Sequence, residues 1–223
     1  ISGGIVEMTS RGENKKRYCK ESEEEFKKAY RENPQPELKG ERWEISYGEE
    51  GYPEKLLFVK DPPKCLYGIG NIQALSDGLA IVGARRATPY GLALAKKFSY
   101  LAASKGITIV SGGAMGCDSQ AHKSALEANG TTVAVLGGGC DQLYPKKNKA
   151  LFQEIINKGG AVVSEHFWSF PPLPYQFRAR NRIIAGLSRA TLIVEAGLRS
   201  GSNNLTNFTR IKQAYFSGGN AYS

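Results

Sequence analysis

The sequence predicts an α/β fold in which a mainly parallel sheet carries helices on both faces, with a short N-terminal helical and extended appendage. Three observations support this. A chain of 223 residues with 41% hydrophobic content is long enough to bury one full core plus an appendage. From Leu79 onward, apolar runs of strand length alternate with amphipathic segments of helical period, the pattern of a parallel sheet covered on both faces. Glycines gather directly after several of those runs, where the chain must turn sharply into the next helix.

Taken in order, residues 14–32, NKKRYCKESEEEFKKAYRE, mix charges of both signs and space Tyr18, Phe26 and Tyr30 at roughly helical intervals, which predicts an exposed helix. The opening ISGGIV resembles the middle of an element, so the N terminus is expected to be truncated or variable. ENPQPELKGE then supplies two prolines and a glycine, a linker that closes an N-terminal fragment over 1–40. Residues 41–78 are expected to form a lead-in with little core, its β-like pieces RWEISY and KLLFV broken by YPEK, DPPK and GIGN. The main domain spans 79–223. Its predicted strands are LAIVG, ITIVS, TVAVL, AVVS and TLIVEA, and its predicted helices are PYGLALAKKFSYLAASKG, MGCDSQAHKSALEANG, NKALFQEIINKGG and RNRIIAGLS, several of them ending in Gly.

The charge is concentrated in the same segment. The chain carries a formal +9; residues 1–40 hold nine Lys/Arg against eight Asp/Glu, 41–78 hold four against seven, and 79–223 hold seventeen against six. A phosphate or nucleic-acid partner is therefore sought in 79–223, where most cations lack a carboxylate to pair with. The cysteines Cys19, Cys65, Cys117 and Cys140 have no CxxC spacing and no histidine placed as a co-ligand, so no metal is expected. Without a leader or a long apolar run, reduced thiols, a cytoplasmic location and no membrane contact are expected. His122 in SQAHKSAL and His166 in SEHFWSFPPLP have no evident Ser or Cys partner, which argues against a nucleophile–base pair. No Gly-Lys-Ser/Thr follows any turn, so a Walker A loop is absent, and the spaced GxGxxG is missing, which argues against a nicotinamide dehydrogenase.

In open parallel sheets ligands bind beyond the carboxyl ends of the strands. After the first run, AIVGARRATPYG places Arg85 and Arg86 before Thr88, a helix cap, and Pro89, suited to a first turn; guanidinium groups and backbone amides would converge there on an anion. TIVSGGAMGCD offers Ser111, Gly112 and Gly113, and AVLGGGCDQLYP offers Gly137, Gly138 and Gly139 ahead of Tyr144. Each glycine run by itself equally suits a tight structural turn; together with clustered arginines they favour a ligand. FRARNRIIAGLS puts Arg178, Arg180 and Arg182 on one side if the segment is extended, whereas a helix would keep Arg178 and Arg182 together and turn Arg180 away. VEAGLRSGS closes the set with Glu195, Arg199, Ser200, Gly201 and Ser202.

From about Trp43 to Arg199 the chain resembles the DNA-processing protein A family, also called Smf. VGARRATPYG, SGGAMGCDSQAH, LGGGCDQLYPKKN, the SE of VVSEHF, RARNRIIAGLS and VEAGLRSGS follow the family's order and approximate spacing, and YPEKLLFVKDPPKCLYGIGN resembles its lead-in. The resemblance implies an extended Rossmann-like fold that binds single-stranded DNA, forms a homodimer, and helps load the RecA recombinase during natural transformation, with no reaction and no cofactor. Position by position it implies a DNA pocket built from Arg85, Arg86, Ser111 to Gly113 and Gly137 to Gly139. Tyr144 is then a candidate for stacking on a base, and Arg178, Arg180 and Arg182 contact phosphates or brace the pocket. The family usually continues SGSL-T-A into a helix and a VFAVPG-like strand, whereas this chain reads SGSNNLTNFTRIKQAYFSGGNAYS, so a divergent end is expected. The contending reading is a phosphoribohydrolase-like nucleotide-binding enzyme on a related scaffold; its PGG-x-GT cue is absent, and Glu195 as the lone acid would more simply brace Arg199.

Overall fold

In the computed structural model the described residues are 27–195, together with the backbone of 213–216. The chain divides into two compact units, Ile1–Pro34 and Gln35–Ser223. In the first, residues 27–32 are helical, which is the C-terminal end of the helix expected over 14–32; the remainder of that expectation lies outside the described residues.

Among its described residues, the second unit contains one eight-stranded sheet. The strands are β1 (Arg42–Ser46), β2 (Cys65–Gly70), β3 (Gly78–Gly83), β4 (Ile109–Ser111), β5 (Thr132–Val135), β6 (Ala161–Ser164), β7 (Ser188–Val194) and β8 (Gln213–Phe216). Their order is β1-β2-β6-β5-β4-β3-β7-β8. From β6 through β8 every pairing is parallel, while β1–β2 and β2–β6 are antiparallel. The chain lays β3 to β6 outward in one direction, then returns to place β7 on the other side of β3. The topological switch, and with it the crevice in which such sheets hold ligands, falls at the carboxyl end of β3.

Side-chain alternation fixes the two faces. Ala80 and Val82 of β3 join Val110, Val133, Val135 and Val163 in a core with Leu56, Leu66, Ile183 and Ile184. Ile81 points the other way and packs with Ile109, Leu192 and Val194 against Ala95, Ala121 and Ala125, as the two-residue period of a strand requires. Those alanines belong to α1 (Pro89–Ala103) and α2 (Cys117–Glu127), whose small faces let both helices lie close to the sheet. The start of α1 is set as the sequence predicts: Pro89 occupies the first turn and Thr88 Oγ1 accepts from the Gly91 amide at 3.2 Å. Beside α2 runs α3 (Lys149–Asn157), with Phe152 and Ile155 fully buried; each such side chain contributes about 1.5–3 kcal/mol on burial. The opposite face is covered by α5 (Asn181–Gly186), preceded by the single turn α4 (Gln176–Ala179).

Three local expectations change. KLLFV is a 3-10 turn over Glu54–Phe58, not a strand: its period is three, so Leu56 is fully buried while Phe58 is 81% exposed, and the Leu56 amide donates to Pro53 O at 2.9 Å. The lead-in has a substantial core, since Ile45, Tyr52, Leu56, Leu66 and Ile69 are all buried. FRARNR is helical, with Arg180 at φ −63°, ψ −20° between α4 and α5, so the extended alternation of its arginines does not occur.

Candidate nucleic-acid interface

An open cleft of about 680 Å³ lies where β3, β4 and β5 end. Its walls come from Val82 to Arg85 after β3, Ala114 and Asp118 after β4, Tyr144, and a final wall of Pro172, Pro174, Phe177, Arg178, Arg180 and Asn181. The rim is aromatic and cationic. Tyr144, half exposed, meets Phe177 with ring centroids 5.3 Å apart at 58°, and the Arg85 guanidinium carbon sits 5.5 Å from the Phe177 centroid. Arg85, Arg86, Arg178, Lys146 and Lys147 are exposed, and among the described residues none has a carboxylate partner. Such a surface can stack planar bases and attract phosphates at once.

The floor is charged and closed. Arg180, 5% exposed, donates Nη1 to Gly112 O at 2.7 Å and to Val135 O, and Nε to Asn181 Oδ1 at 3.1 Å. It therefore ties the end of β5 to the turn after β4. Burial lowers its pKa to about 10, with Asp118 opposing, so it remains protonated at neutral pH. Asp118 accepts from the Gly83 amide at 3.3 Å and the Ala114 amide at 3.4 Å; burial raises its carboxyl pKa, with Arg180 and the amides opposing. In both groups desolvation outweighs the mutual attraction.

Several residues proposed from the sequence as pocket contacts take structural roles instead. Arg180 turns inward as a brace, because helical φ/ψ angles carry it away from Arg178. Arg182 pairs with Glu165, Nη1 to Oε1 at 2.7 Å, and also donates to Asp61 O at 2.7 Å and Ala179 O at 2.8 Å, which holds α4 and α5 to the lead-in. Ser111 is fully buried and donates to Ile81 O at 2.6 Å. Gly112 leaves room for the Arg180 fork, since a Cβ there would lie 2.0 Å from Nη2. Gly113 needs its φ of +68° and faces Phe152. Gly137, Gly138 and Gly139 are buried beneath Phe177, Pro172 and the carbonyls of Phe167 and Trp168, so the space a ligand would need is occupied by the chain itself. Glu195 Oε2 accepts from the Thr88 amide at 2.8 Å; Arg199, which it was expected to brace, lies with Ser200, Gly201 and Ser202 outside the described residues. Left at the cleft are Arg85, Tyr144 and Arg178, with Arg86 exposed beside them in sequence.

The sequence reading missed Phe177, Asp118 and Asn181 as cleft residues. Phe177 directly precedes the arginines, and an aromatic beside a basic run was a usable signal; for Asp118 and Asn181 only the fold supplies one. Both histidines are packing residues. His122 is fully buried, its Nδ1 2.7 Å from Thr132 Oγ1, and burial followed by Arg180 lowers its pKa to about 3. His166 stacks on Phe170 at 4.5 Å, and its pKa is lowered by burial. Asp141 is bound bidentately by Arg42, whose guanidinium lies 4.0 Å over Trp168. No His/Cys/Asp/Glu cluster suited to a metal occurs among the described residues.

The model of the family described as DNA recombination-mediator protein A matches residues 43–213. Protein Smf of Escherichia coli is 46% identical over 159 residues, covering 71% of this chain and 42% of the relative, and the DNA processing protein DprA of Streptococcus pneumoniae is 41% identical over 155 residues, covering 69% and 54%. The chain thus spans about half the length of these relatives. The X-ray structure of the S. pneumoniae protein superposes with TM-score 0.73 at 35% identity over 80% of this chain and 64% of that one. A structure bearing on the single-stranded DNA binding mode of DNA processing protein A from Helicobacter pylori superposes with TM-score 0.68 at 33% identity over 76% of both chains. With ordered motifs, an extended Rossmann-like sheet and these relatives in agreement, the chain belongs to the DNA recombination-mediator protein A family.

Proposed function

We propose that the protein binds single-stranded DNA in this cleft, performs no reaction on it, and helps load the RecA recombinase onto strands taken up during natural transformation. The observation that carries the reading is that the Tyr144–Phe177 pair lines one open cleft together with Arg85 and Arg178. Every base has a face to stack, so aromatic side chains flanked by cations bind single strands with little sequence preference. Tyr144 and Phe177 stack bases; Arg85 and Arg178 contact phosphates; Arg86, Lys146 and Lys147 extend the basic path. Arg199, Ser200, Gly201 and Ser202, which follow β7 in sequence, are further candidate DNA contacts by the family resemblance alone. The H. pylori relative supports the ligand class, and family membership supports a homodimer working in the cytoplasm.

A mobility-shift titration with labelled oligothymidylate, duplex competitor and rising salt tests the reading. Single strands bind in preference to duplex, with affinity falling steeply as counterions are released. Arg85→Ala weakens binding more than Lys158→Ala, because Lys158 caps the far end of α3. Absence of single-strand binding at low salt, or equal losses in the two variants, overturns it.

A further inference from the structure

Building on the reading of the cleft as a single-strand site, we infer that Asp118 sets which way round the strand lies: its side chain fills the backbone amides at the ends of β3 and β4, so bases enter toward the floor and phosphates remain at the rim. Glycine-rich turns that lead from a parallel strand into a helix ordinarily present their amides to a phosphate. Here those amides already have an acceptor within the chain. Asp118 stands in the first turn of α2 and takes the Gly83 and Ala114 amides, one on each carboxyl oxygen, while remaining only 4% exposed on the cleft wall.

The turn itself is pinned from beneath. Arg180 holds Gly112 O, Asn148 Nδ2 donates to Gly113 O at 2.8 Å, and Ser119 Oγ donates to Ala114 O at 2.5 Å. Three successive carbonyls facing the interior prevent the turn from swinging its amides toward a ligand. A phosphate on the floor would therefore compete with a built-in acid for the same donors. Burial raises the carboxyl pKa of Asp118, yet the side chain occupies the amides in either protonation state. Arg85 and Arg178, two of the cations without a carboxylate partner among the described residues, line the cleft with the aromatic pair, which is where a backbone with its bases turned inward would run.

The test uses the full chain and its Asp118→Asn and Asp118→Ala variants, with inorganic pyrophosphate displacing labelled oligothymidylate at matched ionic strength. On the wild type, pyrophosphate displaces no more strand than the salt control. On Asp118→Ala, which removes both the charge and the occupant, displacement occurs at pyrophosphate concentrations lower by on the order of tenfold; Asp118→Asn, which removes only the charge, falls between. Identical curves for all three proteins overturn the inference. Thermal melting checks that the variants fold. Should they not, a structure of the wild type with oligothymidylate decides: a phosphorus against the Gly83 and Ala114 amides overturns the inference, and a base there with phosphates at Arg85 and Arg178 upholds it. If the wild type binds no oligothymidylate, the proposed function fails instead. Calorimetric binding of pyrophosphate by the variants but not the wild type then still upholds the role of Asp118, and its absence overturns it.

Discussion

Replacing Arg180 with methionine separates bracing from contact. The substitution keeps most of the side-chain volume and removes a buried guanidinium that joins Gly112 O, Val135 O and Asn181 Oδ1 opposite Asp118. Two strand-end carbonyls lose their donor and a buried carboxylate loses its counter-charge. Leaving two buried carbonyl acceptors unsatisfied costs about 1–3 kcal/mol each. For a domain of this size each kcal/mol lowers Tm by roughly 2–4 °C, so Arg180→Met should melt roughly 4–24 °C below the wild type. Differential scanning calorimetry measures the first effect. The second is measured in the salt dependence of oligothymidylate binding: removing a phosphate contact flattens the slope of log K against log salt by about 0.7. Arg178→Ala should show that flattening with little change in Tm, whereas Arg180→Met should lose stability and leave the slope unchanged. An Arg180→Met protein that melts within about 2 °C of the wild type, with a slope flattened by about 0.7, would show the guanidinium facing the strand and refute the bracing role.

Tyr144→Ala should weaken oligothymidylate binding by about 1–3 kcal/mol while Tyr144→Phe retains it, because stacking needs the ring and not the hydroxyl; fluorescence anisotropy distinguishes the two. His122 takes up a proton in the unfolded chain below about pH 6.5 but in the folded chain only near pH 3, so the unfolded state binds more protons in that window and stability falls as pH drops through it. The contribution approaches about 1.4 kcal/mol per pH unit, and urea melts of His122→Gln across this range should show a flatter acid limb.

The parallel sheet was legible because its strands are continuous apolar runs, and burial on both faces leaves that mark on any sequence. The antiparallel extension was harder to see. GIGN has the composition of a turn, yet Gly68 and Gly70 stand within β2. A Cβ at Gly68 would lie 2.1 Å from the Trp43 ring, and Gly70, at φ +101°, lies under Gly160 O, so these glycines record close approach. The same ambiguity governs the site. Gly112 and Gly137 to Gly139 invited a reading as ligand turns, and each instead makes room for a side chain or carbonyl from a segment distant in sequence. Arg85 and Tyr144 were legible because exposed groups at strand ends have no competing structural use. The division of labour among Arg178, Arg180 and Arg182 was not, since it depends on which of Glu165, Asp118 and solvent each one faces.

The docking of β2 on β6 has a practical meaning for anyone dividing this chain. A fragment begun at residue 79 would leave the backbone donors and acceptors along the outer side of β6 without their partners on β2, and would strip the Val163 face of Leu56 and Leu66. An open strand edge beside uncovered aliphatic surface is a template for other chains to add to. Expression boundaries placed before Gln35 keep that edge sealed, and a shorter piece trades a tidier motif for a sticky one.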